Sequence, residues 1–257
     1  MIYEIVIMLL AGWGAGVVTG LVGASAVVIV TPILITFLGV NPYTAIGISL
    51  ATDVVASSVS AYTYKKNDNI RIKEGINISV LTVIAAIIGS YLSNFMSATA
   101  LGGSTGIVII FMGISFIRTP LNERLETFKE KVNLSFWQDR KILSTIFFGT
   151  FIGLMTGIFG AGGGMMILIV LAFIFGYPIH MAVGTSVLIM TFSALSGSIS
   201  HFVIEQYIPI TDIIICGIGA YIGAVMAANY ANIISEKKLS KLIGFVFVIL
   251  GLISLLR

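Results

Sequence analysis

One carboxylate lies where a charge is costly. Asp53 sits near the middle of the apolar stretch 44–64, and an ionised side chain at the centre of a hydrocarbon layer costs roughly 2.5–3.5 kcal/mol or more. It must therefore be protonated or paired. Ser49, Asp53, Ser57, Ser60 and Tyr64 are separated by four, four, three and four residues, so they share one helical face. Two chemistries suit such a carboxylate: a coupling site for a proton or cation, or a neutral Asp hydrogen-bonded to neighbouring hydroxyls. Further along, Ser186, Ser193, Gly197 and His201 form a corresponding face, with His201 a second coupling candidate. Both faces are expected to look into the interior of a bundle. Isolated serines and threonines in membrane helices mostly bond back to their own backbone or bridge helices, so each hydroxyl taken singly reads as structural. His201 near the end of its stretch and His180 beside a loop read as interfacial rather than catalytic, and Glu205 and Asp212 as loop charges.

Backbone supplies the second set of candidates. Gly23-Ala24-Ser25-Ala26 and Gly160-Ala161-Gly162-Gly163-Gly164 each interrupt an apolar run, and irregular backbone at membrane depth is tolerated only where protein or a watery cavity satisfies it. A helix that restarts after such a break points free N–H groups and the positive end of its dipole at the gap, which attracts anions. A nucleotide phosphate loop is excluded, because no Lys-Ser/Thr follows the glycines and no strand precedes them. The series Gly12, Gly16, Gly20 and its counterpart Gly149, Gly153, Gly157 keep a spacing of four, which permits close backbone approach between helices. These glycines read as scaffold.

The elements that must position these groups follow from composition. Of 257 residues, 58% are hydrophobic and 10% charged, with a mean hydropathy of +1.08; a soluble domain carries roughly 25% charged residues, so a water-exposed globule is excluded. Crossing about 30 Å of hydrocarbon takes ~20 residues, and the chain divides into eight apolar stretches: 2–38, 44–64, 75–96, 101–117, 142–175, 181–203, 213–232 and 242–256. The first and fifth are too long for one straight span and should break at their small-residue clusters. No basic region precedes the first stretch, so it reads as a membrane segment rather than a leader. Cys216 has no intrachain partner, which rules out a disulfide or a Cys-based metal site, and neither metal nor cofactor is expected.

Superposing the second half on the first at a constant spacing of 137 residues pairs Gly16 with Gly153, Thr19 with Thr156, Gly20 with Gly157, Gly23 with Gly160, Gly39 with Gly176, Gly47 with Gly184 and Ser49 with Ser186. The chain is a duplication. The later parts need a short gap that pairs Gly89 with Gly223. The expected organisation is a first repeat over 1–118, a charged connector over 119–141 and a second repeat over 142–257.

Cytoplasmic loops carry the excess of Lys and Arg. Four basic residues lie in 65–73, six in 118–141 and three in 237–241, whereas 39–43, 97–100, 176–180 and 204–212 contain none. Placing the basic loops inside makes 142–175 begin and end inside, hence a hairpin, and makes 2–38 a hairpin that begins and ends outside. The expected fold class is therefore all-α: a polytopic membrane helical bundle of two homologous inverted repeats, each with a broken Gly-rich hairpin plus three spans, in the cytoplasmic membrane. Inverted repeats are the plan of many secondary transporters. With its charges distributed this way the chain is not expected to bind nucleic acid; its partners are the lipid bilayer and a small solute, and homo-oligomerisation is left open.

GVVTGLVGASAVVIVTPIL at 16–34 and GLMTGIFGAGGGMMILIVL at 153–171, each followed by a short turn and then AIGIS at 45–49 or AVGTS at 182–186, resemble the paired motif of the TauE/SafE sulfite exporter family, also called sulfonate-uptake permeases. His201 falls where that family often has a histidine. The resemblance covers essentially the whole chain. It implies a multipass transporter, by its name an exporter, of a small anionic substrate such as sulfite, other sulfur oxyanions or organosulfonates, handled between the two hairpins. The candidate binding residues are then Gly23, Ala24, Ser25 and Ser49 in the first repeat and Gly160, Ala161, Gly162, Gly163, Thr185 and Ser186 in the second. The chain departs from the family in the glycine-poor Gly-Ala-Ser-Ala of its first break and in the acidic Asp53.

Two other classes were weighed. An intramembrane hydrolase needs a Ser–His pair and an oxyanion site, and no matching signature surrounds Ser196-Gly197-Ser198. A channel, or a cation-coupled transporter using Asp53, lacks a ring of charges or a carbonyl-filter sequence. The sequence therefore favours a non-enzymatic secondary transporter.

Overall fold

The computed structural model of the chain describes residues 2–96, 135–160 and 163–230, with isolated positions between 107 and 117 and between 245 and 252. The stretches 101–117 and 242–256, the loops 97–100 and 237–241 and most of the connector fall outside the described residues. In chain order the described helices are α1 (Ile2–Val22), α2 (Val27–Leu38), α3 (Pro42–Lys66), α4 (Ile72–Ser93), α5 (Ser135–Asp139), α6 (Lys141–Phe159), α7 (Gly163–Phe173), α8 (Ile179–Glu205) and α9 (Ile210–Tyr230). Six of them, α1, α3, α4, α6, α8 and α9, are long and apolar enough to cross a membrane.

Both long runs break where their small residues cluster. α1 ends at Gly23, whose N–H bonds the Thr19 carbonyl at 2.9 Å, and α6 ends at Gly160, whose N–H bonds the Thr156 carbonyl at 2.8 Å. Gly23 and Gly160 have φ of 67° and 65°, a left-handed conformation that strains any residue with a β-carbon. The chain then reverses. A β-carbon on Gly14 would stand 3.7 Å from Ile29 Cγ2, a contact that only a fold-back of α2 along α1 can make. The arms are unequal: 21 residues of α1 rise about 31 Å, whereas 12 residues of α2 rise about 18 Å, so α2 returns only part of the way through a bilayer.

The two central helices, α3 and α8, pack antiparallel. Ser198 Oγ donates to the Gly47 carbonyl at 3.1 Å near one end. Thr191 Oγ1 lies 2.9 Å from Ser57 Oγ near the middle. At the other end Gly184 presses on Tyr64, Asn69 and Ile70. α3 and α8 are equivalent members of the duplicated halves, so equivalent helices run in opposite directions.

The glycine series form the outer seams. A β-carbon on Gly16 would collide with the Ala220 carbonyl and sit 2.7 Å from Ala224 N, both on α9; one on Gly157 would collide with the Ala86 carbonyl and sit 2.6 Å from Ser90 N, both on α4. The partners exchange between halves: α1 of the first packs on α9 of the second, and α6 of the second on α4 of the first. Large apolar side chains such as Ile76, Ile84, Ile88, Ile214, Ile218 and Ile222 stand exposed on the outside. In lipid, burial of such groups drives no helix association, and close packing of small residues supplies the adhesion instead.

These seams correct one register. Gly153 opposes Thr82 as Gly16 opposes Ala220, and Gly157 opposes Ala86 and Ser90 as Gly20 opposes Ala224 and Ala228. The equivalence between α4 and α9 is therefore 138 residues, which pairs Gly89 with Ala227 rather than with Gly223. The left-handed residues Asp68 and Gln206, both at φ 55°, mark the preceding turn and share that spacing. Small residues recurring every turn on one face allow an alignment to slip by four and still match glycine to glycine.

Candidate functional site

The hairpin breaks meet near the midpoints of α3 and α8. The Gly23 carbonyl lies against Gly164 so closely that a β-carbon there would collide with it and approach Met190 Sδ to 2.6 Å. Ser25 Oγ is 3.4 Å from the Gly160 carbonyl. On the α8 side, a β-carbon on Gly23 would stand 3.1 Å from Ser186 Oγ; on the α3 side, one on Gly160 would stand 2.8 Å from Ile46 Cγ2 and 3.0 Å from Val27 Cγ1. Ala24, Ser25, Ser49 and Ser186 are all buried.

Asp53 stands beneath the first break. Ser25 Oγ lies 2.6 Å from Asp53 Oδ2, and the Ala26 N–H donates to Asp53 Oδ1 at 3.0 Å. Ser25 Oγ also accepts the Val27 N–H at 3.3 Å, which directs its own proton toward the carboxylate. Asp53 therefore caps the start of α2 as a side-chain acceptor satisfies any helix N-terminus. The hydroxyl neighbour foreseen for Asp53 comes from the hairpin rather than from its own stripe.

The remaining candidates divide. Ser49 donates to its own Ala45 carbonyl at 2.6 Å and accepts from Thr31 Oγ1 on α2 at 2.8 Å, so it belongs to the wall of the first hairpin. Ser186 joins the contact with Gly23. Thr185 points away, accepting the Arg71 N–H at 3.0 Å. Gly163 opens α7 beside Thr156, while Ala161 and Gly162 lie outside the described residues. The polar stripes face inward as expected, with Ser57, Ser60, Ser193 and His201 buried.

His201 departs from its interfacial reading. It is 0% exposed, its Nε2–H donates to the Gly157 carbonyl at 2.9 Å, and its ring lies 4.2 Å from that of Tyr43. It therefore fastens α8 to the last turn of α6, just before the second break. Glu205 is likewise no loop charge: it ends α8 and accepts the Thr44 hydroxyl at the start of α3. Asp212 falls within the first turn of α9. Thr31, Thr191 and Met190 were not singled out beforehand; the spacing of 137 residues that pairs Asp53 with Met190 was the available signal for the last.

The turns sort into two ends. Arg71 reaches Met181 Sδ through Nε at 3.1 Å, joining the basic loop 65–73 to the α7–α8 turn. There the Tyr177 phenol is raised above its ordinary pKa by burial first and then by the Glu74 charge, with Arg71 opposing. At the opposite end Thr44 meets Glu205 and Tyr43 meets His201.

Apolar outside, small inside, with two opposed hairpin tips joined among buried hydroxyls at the bundle centre, the molecule falls in the class of polytopic helical membrane transporters. The chain belongs to the sulfite exporter TauE/SafE family, whose model matches residues 8–253. It is similar to the "Probable membrane transporter protein YunE" of Bacillus subtilis, 24% identical over 261 residues covering 96% of this chain and 95% of that protein. It also resembles the "Probable membrane transporter protein YdhB" of the same organism, 26% identical over 93% of this chain and 96% of the relative. A third relative, "Probable membrane transporter protein MJ0441" of Methanocaldococcus jannaschii, is 24% identical over 97% and 95%. No solved structure matches the chain. Membership of a transporter family agrees with a non-enzymatic reading.

Proposed function

We propose that the protein is a secondary transporter of a small anion, of the size and charge of sulfite, another sulfur oxyanion or an organosulfonate, and that it acts as an exporter in the cytoplasmic membrane. The observation that carries this reading is the meeting of the two hairpin tips at the middle of the α3/α8 pair, Ser25 against Gly160 and Gly23 against Gly164. Substrate is bound between them, and movement of one repeat against the other exposes that point to alternate sides. Half-helix termini turned toward a midplane site suit an anionic ligand. The antiparallel course of α3 and α8 supports repeats of opposite orientation. The common end of loop 65–73 and the α7–α8 turn supports a shared cytoplasmic side.

A cation-coupled transporter or channel built on Asp53 is the second reading. Against it, both carboxylate oxygens are occupied by groups of the first hairpin.

The test is flux into proteoliposomes with sulfite, thiosulfate and small sulfonates, with and without a pH gradient. Saturable flux of at least one is expected, and a protein indifferent to all of them would overturn the reading. A gradient dependence lost in Asp53→Asn would favour the second reading.

A further inference from the structure

The two hairpins are chemically unequal. At the start of α2 the Ala26 N–H is bound by Asp53 Oδ1 and the Val27 N–H by Ser25 Oγ, whose hydroxyl in turn lies on Asp53 Oδ2. The following Val28 N–H is turned to the Ser25 carbonyl at 3.4 Å. The donors that this terminus would offer an incoming anion are thus already engaged, and by a carboxylate that arrives from α3. Asp53 is 1% exposed, so no solvent competes for it. In α8 the equivalent position is Met190, also 1% exposed, whose sulfur faces the first turn of α7 at Gly164. A thioether carries no charge and is at best a weak acceptor. One half of the duplicated site therefore contains a built-in anion, and the other contains a neutral, polarizable side chain in the same place.

We infer that Asp53 is a tethered resident anion: it occupies the anion seat of the first hairpin, holds Ser25 and Ala26 in place, and closes that hairpin to the transported solute. Capture of the transported anion then falls to the second hairpin, beneath Met190. The last step rests on the reading of the protein as an anion transporter; the occupancy of the first hairpin by Asp53 does not. Asp53 is in this sense a positioning and specificity-determining residue, and the carboxylate does locally what a bound carboxylate ligand would do at a helix N-terminus.

The occupancy is tested by chemical rescue of the full-length protein in detergent. Asp53→Ala leaves an unfilled seat of carboxylate size beside Ser25 and the α2 terminus. Its melting temperature is expected to fall below that of the wild type and to recover as formate is raised, because a ligand that binds only the folded state stabilises it with the logarithm of its concentration. Formamide, the neutral analogue, should restore nothing, and the wild type should respond to neither. Equal responses of Asp53→Ala to formate and formamide, or a formate response as large in the wild type, would overturn the inference. Should Asp53→Ala not fold, Asp53→Asn serves: it keeps the shape but removes the charge, and it is expected to melt lower than the wild type without formate rescue. Melting unchanged in Asp53→Asn would count against a resident anion.

The second half is tested in sulfite flux by comparing Met190→Asp with Met190→Asn. A carboxylate in the second seat repels the substrate at short range in a medium of low dielectric, so Met190→Asp is expected to raise the sulfite KM at least about tenfold above that of its neutral isostere. Equal KM values would assign capture elsewhere. A wild type that carries no sulfite would fail the transport reading while leaving the formate result standing.

Discussion

Replacing Gly157 by alanine should loosen the bundle at a point that can be calculated from the seam it occupies. A β-carbon there would run into the Ala86 carbonyl and stand 2.6 Å from Ser90 N. Both are backbone atoms of α4, which cannot rotate aside as a side chain would. The helices must separate along the seam, and overpacking of this kind costs typically about 1–3 kcal/mol. The Gly157 carbonyl also receives the His201 Nε2–H at 2.9 Å, a bond with a net contribution of about 0.5–1.5 kcal/mol that the separation strains. Against this stands the higher helix propensity of alanine, worth roughly 1 kcal/mol. The expected net effect is a destabilisation of about 2 kcal/mol. Gly14→Ala is the internal control, because its nearest neighbour would be Ile29 Cγ2 at 3.7 Å, an ordinary contact. Only the propensity gain remains there, about 0.5–1 kcal/mol of stabilisation. Both variants can be unfolded in mixed micelles by a rising fraction of dodecyl sulfate with helicity as the readout. If Gly157→Ala and Gly14→Ala shifted the transition in the same direction by similar amounts, the close-approach argument for the α4–α6 seam would be wrong, and with it the equivalent claim for Gly16 on α9.

Other outcomes follow from the same geometry. Gly160→Ala must place a β-carbon at φ 65° and 2.8 Å from Ile46 Cγ2; the left-handed conformation alone costs roughly 1–2 kcal/mol, and sulfite flux is expected to fall with stability, whereas undiminished flux would detach the second break from transport. His201→Phe keeps a ring against Tyr43 but removes the bond to Gly157, so unfolding in the micelle assay should ease by about 1 kcal/mol; no change would mean that the bond is idle. With Cys216 replaced, single cysteines at Lys66 and at Lys238 should both react with an impermeant maleimide only from the cytoplasmic side, and labelling of Lys238→Cys from outside would refute repeats of opposite orientation.

Much of this arrangement was legible in residue types and spacing. The two breaks fall where Gly-Ala-Ser-Ala and the glycine run stand, because only such residues allow a left-handed turn and close approach. The inward direction of Ser49, Ser57, Ser60 and Ser193 followed from helical periodicity and from the cost of facing hydroxyls toward lipid. The pairing of Gly89 was misread by a full turn, since periodic small residues match themselves when shifted by four. His201 seemed interfacial because position along a stretch was its only cue; its burial comes from the crossing of α8 over the end of α6, 44 residues away in sequence. The partner of Asp53 was legible only as a type, a hydroxyl, and its source in Ser25, 28 residues earlier, depends on the fold-back of α2.

By itself the sequence determined that this chain lives in a membrane, that it is duplicated, where its long runs must break and which helix faces are polar. Those properties are set by hydrophobic length, glycine conformation and periodicity, all of which are local. Only the tertiary structure decided that the breaks meet, that α1 seats on α9 while α6 seats on α4, and that the first hairpin is filled by a carboxylate while its twin faces a thioether. Such facts depend on which backbones can approach within contact distance, and in lipid that is governed by the shape of small-residue surfaces rather than by any pattern of hydrophobicity along the chain.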